Sequence, residues 1–231
     1  MVTGTVPMSE TATPSADTSV TASMADDQLF AALRTGDQRA AKILFKRYFL
    51  PVRGYFINKA ADPSASDDLV QKTFMVALMK PDNFRGESSF RSYLFGVASY
   101  VLRAHYRQQA RGKIDPVDDL DLLAVAQIGP GVSTLVSTKA ETQQLIQALR
   151  RIDIRYQTVF EMFYWQDLSA REIGEALQRP EGTVRSQLRL AKRALLGALD
   201  LKGDSFTGLL GHVRDILGRA REVRQLLGGK Q

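Results

Sequence analysis

Apolar residues along this chain recur at intervals of three and four, and no alternating run is sustained, so the pattern predicts an all-α protein. Leu29, Phe30 and Leu33 form a short stripe that Gly36-Asp37 interrupts. Ile43, Leu44, Tyr48, Val52, Tyr55 and Phe56 fall on one face of a longer second helix. A third helix follows Asp62-Pro63-Ser64, with Leu69, Val70, Phe74, Ala77 and Leu78 facing inward. After the loop from Pro81 to Ser88, a fourth is expected from about Ser89 to Arg111, burying Leu94, Val97, Ala98, Val101 and Leu102. Its C-terminal half is rich in cations. A second helical group starts near Glu141, with Leu145, Ile146, Leu149 and Ile152 on one helix and Val159, Phe160, Phe163 and Tyr164 on the next.

The stretch that follows is the most specific. Ser169-Ala170-Arg171-Glu172 has the form of a capping box, in which the serine hydroxyl and the glutamate carboxylate each satisfy the other's backbone amide. The helix it starts buries Ile173 and Leu177 and stops at Gln178-Arg179-Pro180. A new helix begins near Glu181, with Val184, Leu188, Ala191, Leu195 and Leu199 inside and Arg185, Ser186, Gln187, Arg189, Lys192 and Arg193 outside. Two helices joined by a tight turn, the second with a basic face, form a helix-turn-helix, and the N-terminal turn of such a helix can reach base edges in a major groove. Spacing alone fits either that reading or a helical hairpin with a solvated basic face. Gly174 stands where the two helices must approach closely.

Charge and composition divide the chain. Of 231 residues, 44% are apolar, enough for two small helical modules. Residues 1–25 carry two acids and no Lys or Arg, are rich in Ser, Thr and Ala, and are expected to be a disordered tail without the apolar core of a secretory signal. Residues 26–112 hold 14 basic against 8 acidic side chains. Residues 113–140 are acidic and punctuated by Pro116, Gly129, Pro130 and Gly131, as a flexible linker is. Residues 141–200 are nearly balanced, and 201–231 form a basic, helically patterned extension. The net charge of +6 suits a polyanionic partner. No cysteine is present and only His105 and His212 offer imidazole, so neither thiolate metal sites nor disulfides are available; no metal and no cofactor are expected, and the composition suits a cytoplasmic location. No run of apolar residues is long enough to insert in a membrane.

Residues 26–112 and 141–200 resemble the extracytoplasmic-function group of bacterial RNA polymerase sigma-70 factors. The second module carries Tyr156-Gln157-Thr158-Val159-Phe160, Leu168-Ser169, Glu172-Ile173-Gly174, Leu177 and Gly182-Thr183-Val184-Arg185-Ser186, similar to the family's region 4. The first carries Asp67-Asp68-Leu69-Val70-Gln71-Lys72-Thr73-Phe74, then Phe84-Arg85-Gly86 and Ser89-Phe90-Arg91-Ser92-Tyr93-Leu94-Phe95, similar to region 2. The resemblance implies a transcription initiation factor without catalytic residues. Its partners would be core RNA polymerase, through the β′ clamp helices and the β subunit, promoter DNA, and an anti-sigma factor. It implies that Asp67, Asp68 and Gln71 dock on the clamp helices, although Asp67 and Asp68 would also suit a helix N-terminus on electrostatic grounds alone. It places Arg85, Ser88, Ser89, Arg91, Tyr93, Tyr100, Arg103, His105 and Arg107 at the −10 element, where a flipped base and a melted strand must be held. Arg171, Thr183, Arg185, Ser186, Arg189 and Lys192 would read the −35 element.

Phe90 reads as a core aromatic, while Tyr93 and Tyr100 fit either the core or strand stacking. Several positions depart from the family pattern. Lys72 replaces an acid, Gly96 and Ser99 replace basic residues of the −10 helix, and Tyr100 replaces an asparagine. In the last helix Gln187 and Leu190 occupy positions that are commonly basic, and Gln178 stands in the turn where glycine is usual. The changes in the last helix imply an altered −35 sequence preference, and the loss of basic residues at Gly96 and Ser99 motivates an alternative reading, a sigma-like DNA-binding regulator that does not itself support initiation.

Overall fold

The computed structural model describes residues 20–60, 63–79, 88–110 and 140–199, together with Gly208 and Gly211. The described residues form eight helices and no strand: α1 (Asp26–Arg34), α2 (Gln38–Ile57), α3 (Pro63–Met79), α4 (Phe90–Ala110), α5 (Ala140–Arg151), α6 (Ile154–Tyr164), α7 (Ala170–Leu177) and α8 (Glu181–Leu199). All of the predicted linker but Ala140, most of the N-terminal tail and nearly all of the C-terminal extension lie outside the described residues.

Local chemistry sets most of the helix ends. Gly36, at φ 95°, takes the left-handed turn after α1, and the Asp37 carboxylate then caps α2 by accepting the Arg39 N–H at 2.8 Å. Asp153 caps α6 in the same way, accepting from the Arg155 N–H at 2.8 Å. Residues 20–25, assigned to the tail by composition, instead run beside α2, where Arg47 donates to the carbonyls of Ala22 (2.8 Å) and Met24 (3.0 Å). The Arg47 guanidinium and the Tyr48 hydroxyl also bond Asp26, which ties the start of α1 to the middle of α2.

The first module is centred on α4, whose N-terminal turn meets an aromatic cluster. The Phe90 ring lies 5.1 Å from Phe30 and 5.4 Å from Tyr48, centroid to centroid. Such pairs add about 0.5–1.5 kcal/mol each beyond the area they bury. In the second module Leu145, Leu149, Phe160, Ala191 and Leu195 form a local core between α5, α6 and α8.

The two modules are also packed on one another, which helical periodicity did not predict. Ile173, Leu177, Met162 and Val184 belong to the same continuous apolar core as Phe90, Leu94, Phe95 and Ala98. Helix α4 therefore has α3 on one side and α7 on the other; of its expected stripe it buries Leu94, Ala98, Val101 and Leu102 but only partly Val97, and it buries Ser92, Phe95 and Ser99 as well.

The helix-turn-helix depends on two unusual backbone positions. A Cβ on Gly174 would lie 2.7 Å from the Arg179 carbonyl oxygen, closer than real Cβ contacts allow. Gln178 adopts the left-handed conformation, φ 55° and ψ 48°, which an L side chain disfavours by about 1–2 kcal/mol. Urea denaturation is expected to show Gln178→Gly stabilising the second module by roughly 1 kcal/mol. Gly174→Ala is expected to destabilise it by about 1–3 kcal/mol.

Candidate polymerase and nucleic-acid interfaces

Three faces collect the side chains singled out by the sequence. On α3, the spacing that buries Leu69, Val70, Phe74 and Ala77 turns Asp67, Asp68, Gln71 and Lys72 to solvent. Asp67 accepts from the Arg53 Nε at 2.8 Å, an exposed contact that holds it loosely. Continuing along this face are Met75, 50% exposed, and Met79, 72% exposed. The apolar pattern did not single these two out, because they fall off the buried stripe. An acidic and amide patch beside two adaptable thioethers has the character of a protein-docking surface.

The side chains on α4 separate into two groups. Near its N-terminus Ser89 caps the helix, its Oγ accepting from the Ser92 N–H at 3.2 Å and donating to the Glu172 carboxylate at 3.3 Å. Arg91 is half-buried, donating through Nη1 to the Gln166 carbonyl at 3.2 Å and through Nε towards the Tyr48 hydroxyl at 3.4 Å. Burial works against its charge, but Tyr48, Asp26 and Asp167 outweigh that and keep the guanidinium firmly protonated. Tyr93 is half-buried with its ring edge against Phe30, and Ser88 is half-buried as well. Further along, Tyr100 is 55% exposed and Arg107 is exposed, with Arg103 half-buried on the same side of the helix. His105 is half-buried and within 2.9 Å of the Gln109 side-chain nitrogen. Arg85 lies outside the described residues.

On α8, Thr183, Arg185, Arg189 and Lys192 are exposed and Ser186 is half-buried, so the predicted reading face is presented to solvent. Arg185 is steered by Glu181, with Nη2 2.6 Å and Nε 2.8 Å from the same carboxylate oxygen, and Arg189 donates to the Ser186 Oγ at 3.3 Å. Arg171, on α7, bonds Glu175 at 3.0 Å. Surface pairs of this kind are worth a few tenths of a kcal/mol and exchange readily for a phosphate or a base. Among the described residues no group of three or more His, Asp or Glu is placed to hold a metal ion, and no helix is long and apolar enough to cross a membrane.

Comparison with known proteins bears on what these faces meet. The family description "Sigma-70 region 2" matches residues 44–112 and "Sigma-70, region 4" matches residues 142–195, in that order. The chain belongs to the sigma-70 family of RNA polymerase sigma factors, in its extracytoplasmic-function group. The RNA polymerase sigma-H factor of Pseudomonas aeruginosa is 27% identical over 184 residues, covering 75% of this chain and 93% of that protein. The ECF RNA polymerase sigma-E factor of Escherichia coli K12 is 27% identical over 180 residues, covering 74% and 93%. Two solved structures share the fold. One is the sigma factor RpoE in complex with the anti-sigma factor NepR from Bartonella quintana, with TM-score 0.55, 19% identity, and coverage of 70% of this chain and 96% of that one. The other is CnrH in complex with the cytosolic domain of CnrY, with TM-score 0.56, 22% identity, and coverage of 77% and 98%.

In this sigma factor, the region 2 match covers most of α2 together with α3 and α4, and the region 4 match falls on α5–α8. The region 4 helix-turn-helix starts at the capping box, which is complete. Glu172 accepts from the Ser169 N–H and hydroxyl, each at 2.8 Å, while the Glu172 N–H donates to the Ser169 Oγ at 3.2 Å. Burial alone would raise the carboxyl pKa. The hydrogen bonds from Ser169 and Ser89, with the charge of Arg91, instead hold it below its ordinary value of 4.5. A carboxylate lowered in this way contributes stability above its unfolded pKa and loses it as the pH falls through the lowered value. Ser169→Ala is therefore expected to cost about 1 kcal/mol at neutral pH. In acid denaturation series the difference from the parent should shrink as the pH drops below 4.5.

Proposed function

We propose that this protein directs core RNA polymerase to specific promoters, docking on the β′ clamp helices through Asp67, Asp68 and Gln71 and contacting the β subunit through region 4. The −35 element is read as duplex by α8, with Arg185 and Arg189 reaching base edges and Arg171, Thr183, Ser186 and Lys192 fixing the register on phosphates. The −10 element is captured as a single strand by Arg85, Ser88, Ser89, Arg91, Tyr93, Tyr100, Arg103, His105 and Arg107. There, stacking and charge neutralisation offset the energy of unstacking the duplex. The protein performs no covalent step, works in the cytoplasm where promoters and polymerase are found, and is held in check by an anti-sigma factor.

One observation supports this reading above the others: a single chain bears region 2 and region 4 in order and presents an acidic docking face on α3 together with a basic reading face on α8. Run-off transcription with purified core polymerase, on DNA enriched by the holoenzyme and then sequenced, is the test. Transcripts that begin at fixed sites are the expected result. A chain that binds the enriched DNA yet yields no transcript would instead be a regulator that does not initiate.

Arg185→Ala and Arg189→Ala are each expected to weaken −35 recognition by about 1–3 kcal/mol while leaving core binding intact. Unchanged promoter selection in both variants would remove these residues from the reading face. Promoter affinity is further expected to fall linearly on a log scale with rising salt, because each phosphate neutralised releases counterions. A flat salt response would contradict the basic faces assigned here.

A further inference from the structure

One apolar side chain on the outer face of α8 takes no part in the contacts proposed above. Val184, Ala191 and Leu195 mark the buried side of the helix. Ser186, Arg189, Leu190 and Arg193, spaced at i, i+3, i+4 and i+7, share the opposite side, with Ser186 half-buried and the other three exposed. Leu190 is 41% exposed, and among the described residues of α5–α8 it is the one exposed large apolar side chain. A lone exposed leucine is ordinary on a protein surface. On a recognition helix its position matters, because the outermost row meets base edges while the flanks meet phosphates.

Two positions of α8 lack the cation that is common there, and the structure separates them. Gln187 is half-buried, and its Oε1 is buried without a hydrogen-bond partner, so this side chain leans toward the protein. Leu190 is turned outward between Arg189 and Arg193. Of the two, only Leu190 offers the groove an apolar surface where a charge is usual.

What an apolar side chain gains in the major groove is narrow. Guanine shows its N7 and O6 acceptors there, adenine an N7 acceptor and an N6 amino donor, and cytosine an N4 amino donor. A leucine laid over any of these strips water from a polar group and returns no hydrogen bond. Thymine alone adds a methyl group at C5.

We infer that Leu190 determines specificity in the −35 element by packing on the C5-methyl group of a thymine. The inference rests on the reading of α8 as the −35 helix. Leu190 stands five residues after Arg185, about 7.5 Å along the helix axis. At about 3.4 Å per base step, the thymine lies within about three base pairs of the base that Arg185 bonds.

Holoenzyme reconstituted from the full-length chain and purified core polymerase selects duplexes from a random-sequence pool, and the selected DNA is sequenced. Thymine is expected at one fixed position, within about three base pairs of the position whose preference is lost in Arg185→Ala. Replacing that thymine by deoxyuridine removes only the methyl group. It is expected to weaken binding by the parent about fourfold, or about 0.8 kcal/mol. Leu190→Ala, with a side chain too short to cover the methyl, is expected to bind the thymine and uracil duplexes equally. Leu190→Arg is expected to move the selected base at that one position from thymine to guanine. Because Leu190 is exposed, both variants are expected to keep the parent's helix content by circular dichroism. No thymine at a fixed position, a parent indifferent to the methyl, or a Leu190→Ala variant that still loses affinity with uracil would each overturn the inference. Unchanged base selection by Leu190→Arg would do the same. Run-off transcription on the selected duplexes is measured separately. Methyl-dependent binding without a transcript contradicts the initiation reading and leaves the Leu190 contact standing. Transcripts from duplexes whose binding ignores the methyl contradict the contact and leave initiation standing.

Discussion

Two opposite charges buried away from water hold the end of α2 against the middle of α6, and the arrangement of the two modules depends on that contact. A lone lysine or glutamate at such depth is strongly disfavoured, so neither Lys59 nor Glu161 can remain buried unless the other module stays in place. The pair is further fixed by the Tyr55 carbonyl and ring on one side and by Gln157 on the other. Around it the apolar residues of α4 and α7 merge into one core, which is why α4 is buried on two sides and why a glycine is found where α7 crosses it. Such a pair contributes orientation more than stability, because a well-packed apolar pair would be as stable and less selective about its partner.

The sequence revealed what local rules determine. The Ser169–Glu172 box marks a helix start because a side-chain oxygen must satisfy amides that no earlier turn can reach, and it forms as expected; Asp37, legible only as a break in the apolar stripe, caps α2 in the same way. Gln178 stands in a turn where glycine is usual, and the residue takes positive φ. Gly174 was read as a close approach, and its neighbour is the Arg179 carbonyl in the turn. The stripes of α2 and α3 fell on the buried faces because an amphipathic helix has only one way to turn its apolar side inward.

What local rules do not determine was not legible. Lys59 and Glu161 are 102 residues apart, and each taken alone resembles an ordinary surface charge, so nothing in the spacing links them. Gly96 and Ser99 read as missing DNA contacts, whereas in the structure Gly96 lies against the α7 backbone at Ala176 and Ser99 is buried. Arg91 illustrates the same limit: its place at the start of α4 was evident, but not its bond to the Gln166 carbonyl of the other module. Met75 and Met79 escaped notice because exposed apolar residues carry no periodic signal.

Region 2 and region 4 thus share a core in the free chain while offering an acidic face on α3 and a basic face on α8 to two different partners. A molecule built in this way serves as an adaptor between a large enzyme and its template, and its first requirement is to hold the enzyme. The most direct measurement is titration of the full-length chain against purified core polymerase at low ionic strength. A stoichiometric complex, weakened when Asp68 and Gln71 are both replaced by alanine, is the predicted result. No association even at micromolar concentration would contradict it.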